Sequence, residues 1–159
     1  MEMQKEIETF LASPGARKGL AAFGSSVRIR IRIAAETFVL FRDGKELRCI
    51  PTAADTGGDF DMEFTIPPTT VHEMVQRANG PGAGVAELAQ TALSCVFTTD
   101  TQRKVTFEIY ASLFTLVRKG YISVLIAGGP DVLRFLGQHG FGSLEKIRNA
   151  VSQGRRPKE

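Results

Sequence analysis

Between Val27 and Ile33 the chain reads V-R-I-R-I-R-I. Apolar and basic residues alternate without a break over seven positions. A helix would scatter the three arginines around its circumference, whereas a strand puts them all on one side. The segment is therefore a strand with one apolar face (Val27, Ile29, Ile31, Ile33) and one charged face (Arg28, Arg30, Arg32). Such a strand belongs to a sheet that is covered on one side only. The arginine row has two readings. It is an anion site, or it is a solvated face paired across strands to acidic neighbours.

The next segments supply partners. A second strand is expected from Thr37 to Phe41, after Ala34-Ala35-Glu36. Arg42-Asp43-Gly44-Lys45 reads as a hairpin turn, because Asp-Gly accommodates the positive φ that tight hairpins need. A third strand runs from Glu46 to Ile50 and stops at Pro51. The fourth, Phe60 to Ile66, alternates again: Phe60, Met62, Phe64 and Ile66 inward, Asp61, Glu63 and Thr65 outward. Its acidic face complements the arginine face if the two strands are neighbours. Short connections point to an antiparallel meander. Asp59, Asp61 and Glu63 form a solvent-facing row on this reading, with a catalytic carboxylate pair as the alternative.

The remaining segments read mainly as helix. Residues 2–23 form an amphipathic stretch with Ile7, Phe10, Leu11, Leu20 and Phe23 as apolar positions, interrupted at Ser13-Pro14-Gly15. A helix is expected from Val71 to Ala78, capped by Thr69 or Thr70, and another from Val85 to Phe97. Between them, residues 79–84 read as a hinge, an entrance rim or a simple connection. Asp100 is a candidate N-cap for a helix from Arg103 to Arg118. That helix carries Val105, Ile109, Leu113 and Leu116 on one side and Phe107, Tyr110, Phe114 and Val117 on others. A helix apolar on most faces is enclosed or borders an apolar cavity. Tyr121 to Ala127 is expected as a uniformly apolar fifth strand. Gly128-Gly129-Pro130 turns the chain, and Asp131 caps a core helix reaching Gln138. A weaker amphipathic helix spans 141–151, and residues 153–159 form a disordered basic tail.

At 159 residues a single domain is expected, spanning residues 1–152, with enough chain to bury a core without disulfides or metal. Eleven Phe and no Trp suit a core or a lipid-like pocket equally. A net charge of +3 is too small to argue for nucleic acid, though it suits transient contact with an anionic membrane surface. Cys49 and Cys95 lie in no metal-binding spacing and read as buried thiols of a reducing compartment. The N-terminal residues carry early glutamates and no apolar core, so no signal peptide is expected. No apolar run is long enough to span a bilayer, and a cytoplasmic location is the expectation.

Catalytic chemistry is hard to find. His72 and His139 are the only histidines, and neither sits in a zinc-binding spacing. There is no G-x-S-x-G, no phosphate-binding G-x-x-x-x-G-K and no strand-linked G-x-G-x-x-G. No cofactor is expected.

The order of these features resembles the sterol carrier protein-2 family across residues 25–140. The acidic strand Asp59–Ile66 runs into a helix through Pro67-Pro68-Thr69-Thr70-Val71. Later, Leu113–Lys119-Gly120 is followed by Tyr121–Ala127, Gly128-Gly129-Pro130-Asp131 and an apolar helix, similar to that family's C-terminal signature. The Gly-Gly-Pro-Asp turn and the length of 79–104 depart from it, and the chain does not end in a peroxisomal tripeptide. The resemblance implies an α+β fold: a five-stranded, mainly antiparallel sheet with helices on one face and an apolar tunnel between the layers. It implies no catalytic residues, and it implies binding or transfer of a lipid, fatty acid, acyl-CoA or steroid-like molecule. Helix and strand faces then suggest a lining of Phe64, Ile66, Val71, Met74 and Val75 on one side. Tyr110, Leu113, Phe114, Val117, Leu133, Phe135 and Leu136 form the other. Two alternatives stay open. One is a small isomerase- or cyclase-type enzyme using Tyr110, His72 or Glu108, and the other is an accessory module that binds a partner protein. Oligomeric state is not legible.

Overall fold

A computed structural model describes residues 2–53, 58–81, 84–130, 134 and 138. It is an α+β fold. In chain order the elements are α1 (Glu2–Ala12), α2 (Pro14–Gly19), β1 (Arg28–Ile33), β2 (Glu36–Asp43), β3 (Glu46–Thr52) and β4 (Met62–Thr65). They continue with α3 (Pro68–Ala78), α4 (Val85–Phe97), β5 (Thr106–Ile109), α5 (Leu113–Arg118) and α6 (Tyr121–Ile126).

The period-two pattern does what it dictates. Ile29, Ile31 and Ile33 are buried while the arginines between them are not. They form the centre of the main core with Phe38 and Leu40 of β2, Cys49 of β3, Ile7 of α1 and Val71 of α3. Val75 of α3 and Tyr121 and Val124 of α6 pack against the same cluster. The described helices thus cover one face of the sheet. On the other face, Glu63 of β4 binds Arg30 and Arg32 of β1 together, the second at 2.9 Å. The acidic and basic rows are indeed neighbours, as their complementarity requires.

The connectivity differs from a meander. The sheet order is β3-β2-β1-β4-β5, and β1 and β4 run parallel, with Ile29 beside Met62 and Ile31 beside Phe64. β3 and β4, consecutive in the chain, are separated in the sheet by β2 and β1. A short loop does not force an antiparallel neighbour when the strand that matches the charge pattern lies further in.

Two element types are exchanged between residues 103 and 127. The expected helix 103–118 is instead strand β5, a short link and helix α5. Val105, Phe107 and Ile109 alternate with Thr106 and Glu108, so a period-two pattern is present alongside the helical spacing. Pairing with β4 decides the outcome: Met62 faces Ile109 and Phe64 faces Phe107. Ser112 then caps α5 by accepting the Thr115 N–H at 3.2 Å. The expected strand 121–127 is helix α6. A short apolar run does not distinguish strand from helix by periodicity, and the sheet edge is already occupied by β5.

Smaller corrections follow from the same packing. Neither Thr69 nor Thr70 caps α3, whose N-cap is Pro67. Their hydroxyls donate instead to the carbonyls of Gln102 and Arg103, at 2.6 and 2.8 Å. Asp100 accepts from the Gln102 N–H in a turn, and the element after it is strand β5. Arg103 forms a two-pronged ion pair with Glu73, tying this turn to α3. The break at Ser13-Pro14-Gly15 separates α1 from α2, with Ser13 capping α2. The helices expected at 131–138 and 141–151, and the tail, fall almost wholly outside the described residues.

Candidate functional site

Four places collect chemistry, and each follows from how the sheet is built. The first is Asp61, just before β4. The alternation puts it on the wet face, yet it is only 4% exposed. One carboxylate oxygen accepts from Lys119 Nζ at 2.7 Å. The other accepts from the Arg28 backbone N–H at 3.0 Å and from the Tyr121 hydroxyl at 2.8 Å. Its carbonyl accepts from the N–H groups of Tyr110 and Ala111. Lys119 also donates to the Ser26 carbonyl at 2.9 Å. Burial, followed by the Asp61 charge, pushes the Tyr121 hydroxyl far above its ordinary pKa. Both oxygens of this carboxylate are engaged, by three donors in all. It ties the start of β4 to the α5–α6 junction. Gly120, between the two ligands of Asp61, has φ +92° and lies against the Ala22 carbonyl. The Asp59–Ile66 segment and the Lys119-Gly120 segment noted in the sequence thus meet in space.

The second place is the outer sheet face. Tyr110 donates to Glu108 at 2.8 Å. Glu108 pairs in register with Glu63, which binds Arg30 and Arg32. Tyr110 therefore lies on the polar side of the sheet, with its hydroxyl held above its usual pKa by burial and then by the Glu108 bond. Phe60, expected inward, lies instead beneath the guanidinium groups of Arg28 and Arg30, 4.9 and 4.8 Å from its ring centre.

The third place is the apolar surface at the other end of the inner face. The Phe64 and Phe107 rings are 6.1 Å apart across β4 and β5. Leu113 and Leu116 of α5 pack with Met62, Ile109 and Ala111 in a second core. Outside it, Phe107 is 44% exposed, Phe114 73%, Val117 51% and Ile126 53%. Ile50 on β3 is the remaining large exposed apolar side chain among the described residues, and the other four lie on β5, α5 and α6.

The fourth place was not anticipated from the sequence. A cleft of about 810 Å³ opens between α1, α2 and the β2–β3 hairpin, with Leu11, Leu20, Phe23, Arg42 and Leu47 among its walls. None of the expected lining residues belongs to it. Arg42 looked like turn sequence, and only the strand register brings it to the helix side beside Leu47.

The expected lining set is divided accordingly. Phe64, Ile66, Val71 and Val75 come together at the main core. Leu113 joins the second core, and Phe114 and Val117 face outward. Met74 is half-buried on α3. Tyr110 lies across the sheet from Phe64, and Leu133, Phe135 and Leu136 lie outside the described residues. Of the acid–base candidates, His72 is exposed on α3, 3.5 Å from Glu6, while Tyr110 and Glu108 bind each other. Among the described residues no group of three His, Cys, Asp or Glu is placed to hold a metal ion. Nor is any helix among them long and apolar enough to cross a membrane.

No family model matches the chain, and no curated protein matches it. Among solved structures, a chain described as "UbiJ-SCP2 Ubiquinone synthesis protein" aligns with 77% of this chain and 84% of its own length. The identity is 11% and the TM-score 0.42. The likeness is one of outline, and the functional reading rests on the side chains of this molecule.

Proposed function

We propose that this protein binds a hydrophobic small molecule or lipid and carries it. The reading rests on the apolar side chains left open around β5, α5 and α6, Phe114 above all. A folded chain rarely leaves several large apolar side chains exposed on neighbouring elements unless something covers them. The proposed contacts are Phe64, Ile66, Met74, Val75, Leu113, Phe114 and Val117, with Phe107 added from the structure and Leu133, Phe135 and Leu136 from the sequence. Tyr110 is left out, since it faces the polar side. Burial of apolar ligand surface, at about 25 cal/mol per Å², supplies the affinity without a strong polar contact.

The test is organic extraction of the purified protein with mass spectrometry, followed by titration of the delipidated protein with a fluorescent fatty acid and a fluorescent sterol. A co-purifying hydrophobic molecule and saturable probe binding are expected. Phe114→Asp should leave the fold within about 0.5 kcal/mol of wild type, since the side chain is exposed. Losing roughly 60 Å² of ligand contact should weaken probe binding about tenfold. A protein that carries nothing and binds neither probe would overturn the proposal.

A further inference from the structure

The cleft at the β2–β3 hairpin is a second site, and its chemistry differs from that of the apolar surface. In the sheet order, β2 and β5 are separated by β1 and β4, roughly 14 Å at the usual strand spacing. The cleft has an apolar floor of Leu11, Leu20, Phe23 and Leu47. Its volume of about 810 Å³ falls in the range of small-molecule sites.

Arg42 is the unusual member. It follows Phe38 and Leu40 on the inner side of β2, where the pattern so far is apolar. Its guanidinium is fixed by two backbone carbonyls: Leu20 accepts at 3.0 Å and Lys45 at 3.1 Å. Its Nε is buried with no hydrogen-bond partner. Arg30 and Arg32 share the Glu63 carboxylate, and Arg103 pairs with Glu73. Among the described residues, no carboxylate lies within ion-pair distance of Arg42. Carbonyl partners orient a guanidinium but leave its full charge in place. A fixed, uncompensated cation beside an apolar wall is costly unless an anion completes it.

The rim carries more basic than acidic side chains. Arg17, Lys45 and Arg48 join Arg42 on the walls, against Glu8 and Glu46. Arg17 and Glu46 approach only to 3.8 Å and Arg48 and Asp43 to 3.7 Å, in pairs that are about half exposed or more. The cleft therefore holds an excess of positive charge over an apolar floor.

We propose that this cleft binds a single-tailed anionic amphiphile, its carboxylate or phosphate head on the Arg42 side and its chain over Leu11, Leu20, Phe23 and Leu47. The site discriminates by head charge through Arg42, whose charge is fixed among the cleft walls. It stands independently of the carrier reading.

The test is calorimetric titration of the full-length, delipidated protein with decanoate, monodecyl phosphate and 1-decanol. Wild type should bind at least one anionic ligand about tenfold more tightly than the alcohol, and the tighter of the two identifies the head. Arg42→Gln should bring the three ligands level, while Phe114→Asp should leave the preference intact. If Arg42→Gln fails to fold, Leu11→Trp, which fills the floor and keeps Arg42, should abolish the anion-selective component. Equal binding of alcohol and anions by wild type would overturn the proposal. So would a preference that survives both cleft variants.

Discussion

Replacing Asp61 by asparagine keeps the shape of the side chain and removes its charge. The carboxylate receives three donors: Lys119 Nζ, the Arg28 N–H and the Tyr121 hydroxyl. An amide has one acceptor oxygen. Whichever way it turns, its NH₂ confronts a donor, either the lysine ammonium or the fixed Arg28 N–H. The Lys119 and Asp61 side chains are 14% and 5% exposed, so the relevant magnitude is that of a buried pair broken from one side. That is about 3–5 kcal/mol, against 0–1 kcal/mol for a surface pair. Such a loss is a large part of the 5–15 kcal/mol that typically holds a domain folded. Urea denaturation of wild type, Asp61→Asn, Lys119→Met and the double variant measures it. The double variant should be less destabilised than the sum of the singles by about 2 kcal/mol, because Lys119→Met removes the orphaned ammonium. A loss below about 1 kcal/mol for Asp61→Asn, or additivity within about 0.5 kcal/mol, would refute the assignment of this cluster as the tie between β4 and the α5–α6 junction.

Two other consequences can be measured directly. A Cβ on Gly120 would fall 2.0 Å from the Ala22 carbonyl oxygen, at φ +92°, whereas Gly129 has φ +87° and open space around it. Gly120→Ala should therefore cost about 2–5 kcal/mol and Gly129→Ala about 1–2 kcal/mol in the same denaturation assay. The Cys49 thiol is pushed up to about 12 by burial and then by the Glu8 charge. Its folded pKa exceeds the unfolded one, so its contribution is intact below about pH 8.5 and is lost as pH rises toward about 12. Stability should fall by up to about 1.4 kcal/mol per pH unit across that window. Cys49→Ala should flatten the slope between about pH 9 and 10, before the unfolded-state tyrosines ionise; an unchanged slope would place the titration elsewhere.

Much of the sheet was legible. The alternation at 27–33, the part of the 60–66 alternation that lies in β4 (Met62–Thr65), the Asp43-Gly44 hairpin and the charge match between the two strands survive in the structure, with Gly44 at φ +64°. The helices at 68–78 and 85–97 were placed within a few residues. What misled was the stretch 103–127, where two periodicities coexist and only pairing with β4 chooses between them. Asp61 was misread for a related reason. Strict alternation assumes the strand has already begun, but β4 starts at Met62, and the residue before it is free to turn inward to Lys119. Phe114 was expected within the apolar layer because it sat on a supposed long helix. On the six-residue α5 it points to solvent.

The same division applies to function. The abundance of apolar side chain late in the chain, and the scarcity of catalytic motifs, were readable without coordinates. The hairpin cleft was not, because its walls come from residues far apart in sequence, and Arg42 becomes unusual only when its neighbours are known. Sequence by itself determined which strand faces are apolar and which are charged, since side-chain period is a property of a few consecutive residues. Tertiary structure alone decided which strands lie side by side, which way they run, and which charges find a counter-charge. Those outcomes are settled by competition among distant segments for the same sheet edges and the same buried partners.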